Sequence, residues 1–137
     1  MNFNLSHSSY RRLNGVDQKI INILELAIRR TPIDFGVAHL GGRRTDEEQN
    51  DLFVSGYSQK DGYIKKSKHQ YGEAVDLIVF VGANVVNNEN MLSVVAGVIF
   101  SCASELGIKI RWGLDWDSDG DIRDTKFRDI YHYELIT

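Results

Sequence analysis

The chain has 137 residues, 42% of them hydrophobic and 26% charged, with a formal net charge of −3, which suits one soluble domain around one core. The mild acidity speaks against nucleic-acid binding, which needs a basic stripe; Arg11-Arg12 and Lys65-Lys66-Lys68 are local clusters that a solvated surface explains. The polar stretch Met1 to Asn14 lacks a signal-peptide core, Val94 to Phe100 is too short to span a bilayer, and the single cysteine, Cys102, excludes an internal disulfide.

In chain order, Val16, Ile20, Leu24, Ala27 and Ile28 recur at helical spacing, predicting an amphipathic helix to Arg30 that Pro32 helps to stop. Asp34 to Leu40 is β-compatible and leads into Gly41-Gly42. Thr45 and Glu48 form a capping-box pattern for a helix reaching about Val54. Tyr57 to Lys68 reads as an exposed polar loop, and Ala74 to Val81 as a buried strand interrupted only by Asp76. A long helix starts in Asn87 to Asn90, turns Leu92, Val95, Ala96, Ile99, Cys102, Ala103 and Leu106 inward, and stops at Gly107. Ile108 to Trp112 and Ile130 to Ile136 read as strands. Without a regular βαβ alternation, the expected fold is a single α+β domain over residues 1–137. It has about three helices and a small, mainly antiparallel sheet.

The chemistry gathers in two segments. Ser67-Lys68-His69-Gln70-Tyr71-Gly72-Glu73-Ala74-Val75-Asp76 sets a histidine and an aspartate on either side of a glycine, where a tight turn can bring them together. A carboxylate inside the apolar run of Asp76 is costly unless a cation meets it, and an arginine or a metal would serve. Asp129-Ile130-Tyr131-His132-Tyr133-Glu134 adds a second histidine, with His132 and Glu134 on one strand face. His69, Asp76 and His132 together are enough to hold a catalytic zinc and leave a position for water. Asp129 then stands as the base, with Glu134 as the competing base or as a group orienting a ligand. His39 is a weaker substitute ligand, His7 has no catalytic context, and Cys102 belongs to the core.

These residues also carry a family resemblance. Ser67-x-His69-x-x-Gly72-x-Ala74-x-Asp76 followed by Asp129-x-x-His132-x-Glu134 resembles the zinc peptidases that cut peptidoglycan stem peptides. That group includes D-alanyl-D-alanine carboxypeptidases, dipeptidases and phage L-alanyl-D-glutamate endolysins. Gly42-Arg43-Arg44-Thr45-Asp46-Glu47-Glu48-Gln49 is similar to the family's G-x-R-(S/T)-x-x-x-Q block. Trp112-Gly113-Leu114-Asp115-Trp116 is similar to its W-G-G-D-W stretch, with Leu114 in place of a glycine. The blocks run in family order from about Asp34 to the C-terminus, and the form is closest to the phage endopeptidases.

The resemblance implies zinc on His69, Asp76 and His132, with Asp129 as general base. It also implies Arg44 at the scissile carbonyl, and it leaves Ser67 either touching substrate or capping its turn. The implied partner is the peptidoglycan stem peptide, cut at the L-alanyl-D-glutamate bond; a monomer is the default expectation. The enzyme would accumulate in the host cytoplasm and act on the wall at lysis. A carboxypeptidase or dipeptidase of the same family, and a non-catalytic metal-stabilised wall-binding module, are the alternatives.

Asp115-Trp116-Asp117-Ser118-Asp119-Gly120-Asp121-Ile122 reproduces the opening of a calcium loop, but the twelfth place is Lys126 where a bidentate glutamate belongs. Calcium on Asp115, Asp117, Asp119 and Asp121, with Asp124 as a further candidate, stands beside a merely solvated acidic loop.

Overall fold

The computed structural model describes residues 3–137, and for Asp124 the backbone alone. Its elements are α1 (His7–Arg12), α2 (Gln18–Arg30), β1 (Asp34–Val37), α3 (Asp46–Val54), β2 (Ala74–Val81), β3 (Asn84–Val86), α4 (Glu89–Glu105), β4 (Ile110–Trp112) and β5 (His132–Leu135). Short 3-10 turns lie at Lys68–Tyr71 and Ile122–Asp124. The α+β class and the antiparallel sheet are those expected. The strands run β1-β2-β5-β4, with β3 also on β2, and every pairing is antiparallel.

Local chemistry explains most boundaries. Asp17 caps α2 by accepting from the Lys19 amide, and Arg29 and Arg30 meet the negative end of its dipole. Thr45 and Glu48 form the full reciprocal capping box of α3. Asn88 caps α4, whose buried residues are Leu92, Val95, Ala96, Ile99, Cys102 and Ala103.

The structure adds to or adjusts the expected elements in five places. A fourth helix, α1, occupies part of the polar N-terminal stretch, where only Ser9 is buried and no apolar period announces it. It is held by tertiary contact, since the Ser9 hydroxyl accepts from the Val37 amide of β1. β1 ends at Val37 because the chain turns at Leu40, which has a φ of 55°. The hairpin to β3 was not expected, and Leu106 is exposed at the end of α4. β5 begins only at His132, since Ile130 and Tyr131 lie in a turn.

The sheet has two distinct faces. Val75, Leu77 and Val79 of β2 and Tyr133 and Leu135 of β5 join α2 and α4 in the hydrophobic core. Strand alternation sends Asp76, His132 and Glu134 to the other face. Antiparallel register sets Asp76 directly opposite His132 and Ala74 opposite Glu134. A single-residue slip would put these groups into the core, so the apolar alternation of β2 and β5 also aligns the site.

Gly72 ends the 3-10 turn at φ 71°. A Cβ there would run into the carbonyl oxygen of Gly15. Gly72→Ala is expected to destabilise the protein by about 2 kcal/mol or more. It should also loosen His69, so denaturant midpoint and metal affinity should fall together.

Candidate active site

His69 is presented by the 3-10 turn. Ser67 caps that turn through its hydroxyl, which accepts from the His69 amide, while Gln70 accepts from the Ser67 amide. The capping role of Ser67 is therefore in place, and Ser67 also lines the cleft. The inner atoms of the three expected ligands form a near-equilateral triangle. His69 Nε2 lies 3.2 Å from His132 Nδ1, and both lie 3.2 Å from Asp76 Oδ1. Ligand atoms bonded to one tetrahedral ion at about 2.0–2.1 Å stand ~3.3 Å apart.

Each ligand is anchored from behind. His69 Nδ1 lies 2.9 Å from the Gly42 carbonyl, His132 Nε2 lies 2.8 Å from Glu134 Oε1, and Asp76 Oδ2 accepts from Arg44 Nη2 at 3.0 Å. A carbonyl can only accept, so His69 carries its proton on Nδ1 and turns a lone pair inward. Glu134 orders His132 the same way. Two imidazole lone pairs and a carboxylate oxygen thus converge, an arrangement that fits a divalent metal and is repulsive without a cation. Glu134 is itself held by Lys68 and Arg111, each 3.5 Å from Oε2.

In the metal-free protein a proton fills part of that role. Burial works against a charged His132, but the hydrogen bonds of Asp76 and Glu134 outweigh it and push the ring up to about 9. Burial likewise works against the Asp76 charge, and the two histidines overcome it and hold the carboxyl well below the usual range. His132 therefore stabilises the metal-free fold fully below its unfolded value of ~6.5. That contribution is lost as pH rises through about 9. The melting temperature of chelated protein is expected to fall across this window and to become less pH-dependent when metal replaces the proton. A flat or rising profile for chelated protein would count against this account.

Asp129 stands beside the triangle, outside the group of convergent ligand atoms. Its amide donates to the Gly113 carbonyl at 2.9 Å, and its own carbonyl accepts from the His132 amide at 3.1 Å. Gly113 must lack a side chain, because a Cβ would enter the Asp129 carbonyl oxygen. Burial, reinforced by the Asp76 charge, raises the Asp129 carboxyl above the ordinary range. Arg44 lines the same cleft. Three of its N–H groups are engaged, by Leu40 O, Gln49 Oε1 and Asp76 Oδ2, and burial is the main influence lowering its pKa. Asp76 therefore has both partners that its place in an apolar run suggested, an arginine behind and a metal-type pocket in front.

The cleft has a volume of about 830 Å³. One wall is the 57–60 segment; another is Trp116 and Phe127, stacked with ring centres 6.1 Å apart. Tyr57, Lys60, Trp116 and Phe127 had no expected role, although the aromatic pattern around Trp116 offered a signal for that residue. His39 is exposed and does not join the ligand group.

The acidic loop is only partly assembled. Asp115, Asp117 and Asp119 bring one oxygen each within 4.8 Å of one another. Their carboxylates accept from backbone amides of the loop itself, as when Asp119 N donates to Asp115 and Gly120 N to Asp115. Asp121 instead pairs with Arg123, and the side chain of Asp124 lies outside the described residues.

Among the described residues no helix is long and apolar enough to cross a membrane. Comparison with known proteins accords with the geometry. A family model of phage L-alanyl-D-glutamate peptidases matches residues 1–136. The L-alanyl-D-glutamate peptidase of Escherichia phage T5 is 30% identical over a 143-residue alignment spanning 99% of this chain and 100% of that protein. The crystal structure of a Serratia marcescens L-Ala D-Glu endopeptidase superposes with a TM-score of 0.79 at 25% identity, over 99% of this chain and 90% of that one. The chain, with its two histidines and aspartate converging beside a half-buried second aspartate, belongs to the phage L-alanyl-D-glutamate peptidase family.

Proposed function

We propose that this protein is a zinc-dependent peptidoglycan endopeptidase that hydrolyses the L-alanyl-D-glutamate bond of the stem peptide and serves phage lysis of the host. The observation that carries the reading is the 3.2 Å ligand triangle with Asp129 next to it but not in it. A purely structural site needs no such spare carboxylate.

His69, Asp76 and His132 would hold the zinc, which when bound supplies Lewis acidity and brings the pKa of water from ~15.7 towards ~7. Asp129 accepts the proton of the attacking water and returns it to the leaving amine. Arg44 keeps Asp76 oriented, and its remaining N–H groups are available to the carbonyl oxygen as charge develops there. Glu134 fixes the His132 tautomer. Ser67, beyond its capping bond, borders the cleft where substrate would lie. The proposal includes action as a monomeric single domain, with accumulation in the host cytoplasm before wall cleavage.

The test pairs elemental analysis with purified Gram-negative walls. One equivalent of zinc per chain, loss of turbidity and released peptides beginning with glutamate are expected. Released terminal D-alanine would instead point to the carboxypeptidase reading, and zinc without any cleavage to a binding module. For the acidic loop, calcium on Asp115, Asp117 and Asp119 belongs to the same proposal. Calcium titration is expected to shift the amide resonances of residues 115–121, at weak affinity because the twelfth-place glutamate is absent; unchanged spectra and activity would remove it.

A further inference from the structure

The cleft carries an imbalance of charge that the hydrolytic machinery does not use. Four cations border it: Arg44, Lys60, Lys66 and Lys68. Three have anionic partners. Arg44 pairs with Asp76 at 3.0 Å, Lys66 with Asp46 at 3.0 Å, and Lys68 with Glu134 at 3.5 Å. The ammonium of Lys60 has no ion pair or hydrogen bond among the described residues.

Its backbone, by contrast, is closely held. Gln49 has no exposed surface and spends both polar atoms of its side chain on this corner of the site. Its amide nitrogen donates to the Lys60 carbonyl at 2.9 Å and to the Ser58 hydroxyl at 2.8 Å. The Ser58 hydroxyl also accepts from the Lys60 amide at 3.1 Å. The Gln49 oxygen accepts from Arg44 Nη1 at 3.0 Å. A continuous set of hydrogen bonds therefore ties the root of Lys60 through Gln49 and Arg44 to Asp76. The free cation is based at a fixed place relative to the metal ligands, although its stem remains flexible.

Resting on the function proposed above, we propose that Lys60 binds the free carboxylate on the glutamyl side of the scissile bond, with Gln49 positioning the segment that bears it. Glutamate has two carboxyl groups. Whichever one carries the rest of the stem, the other remains as an anion close to the scissile nitrogen. That anion must enter a cleft whose other cations are already engaged by Asp76, Asp46 and Glu134, so the unpaired cation on the wall gives it a partner and orients the substrate. Lys60 is a specificity-determining residue in this account, and it takes no part in proton transfer.

The test uses zinc-loaded enzyme and two synthetic stem peptides, one with the free glutamyl carboxylate and one with that group converted to the carboxamide. Wild type is expected to favour the carboxylate peptide about tenfold in kcat/KM, mostly through KM. Lys60→Met should bring the ratio towards one with an unchanged melting temperature, and Lys60→Arg should restore it. Lys66→Met should leave the ratio as in wild type. Gln49→Met should reduce the ratio while zinc content is retained. Equal cleavage of both peptides by wild type, or a preference that survives Lys60→Met or depends on Lys66, overturns this inference alone. Failure of zinc-loaded wild type to cleave either peptide overturns the proposed function, and this inference with it.

Discussion

Asp129→Asn is expected to bind zinc as wild type does and to lose roughly 10²–10⁴-fold in kcat, the range for removal of a general base. The side chain lies outside the ligand triangle, so its charge is not needed to hold the ion. Its backbone is fixed on both sides, by Gly113 and by the His132 amide, and an isosteric change should leave that framework intact. Burial and the nearby Asp76 charge favour its protonated form, as suits a group that takes a proton and gives it back in the proposed mechanism. Zinc stoichiometry and turnover measured on the same preparation check the expectation. Loss of metal together with activity would make Asp129 a ligand. Retained activity would pass the role of base to another group, and Glu134 is poorly placed for it. One Glu134 oxygen is 2.8 Å from His132 Nε2, and the other faces Lys68 and Arg111.

His69→Ala is expected to lose metal and activity together. Changes to groups that merely orient a ligand typically cost 10–100-fold in metal affinity, so deleting one of three ligands should exceed about 100-fold. The residue is also buried, and its removal leaves the Gly42 carbonyl without its imidazole partner. Some loss of stability should therefore accompany the loss of metal. Chelated wild type provides the control. Zinc should restore its activity and raise its melting temperature, and should do neither for His69→Ala at the same concentration. A variant that keeps full zinc content and turnover would exclude His69 from the site.

The elements that sequence made legible are those whose causes are local. The Thr45–Glu48 capping box, the turn of Ser67 and Gly72, and the alternation that pairs His132 with Glu134 all act within a few residues. So do the apolar periods of α2 and α4. These were enough to select His69, Asp76, His132 and Asp129 and to suggest the α+β class. Helix α1 was hidden because its one buried residue, Ser9, is held by a strand 28 positions away. β3 was hidden because its three residues form a strand only by pairing with the far half of β2.

By itself, the sequence determined which side chains can bind a metal and which strand face carries them, since motif spacing and strand period are properties of adjacent residues. The tertiary structure decided what each of those atoms faces. It turned one Asp76 oxygen to Arg44 and the other to the histidines, directed the inward lone pairs through Gly42 and Glu134, and sealed Gln49 beneath Lys60. Those choices depend on hydrogen bonds between distant segments, and the energy that orients a buried polar group exists only once folding has removed its water.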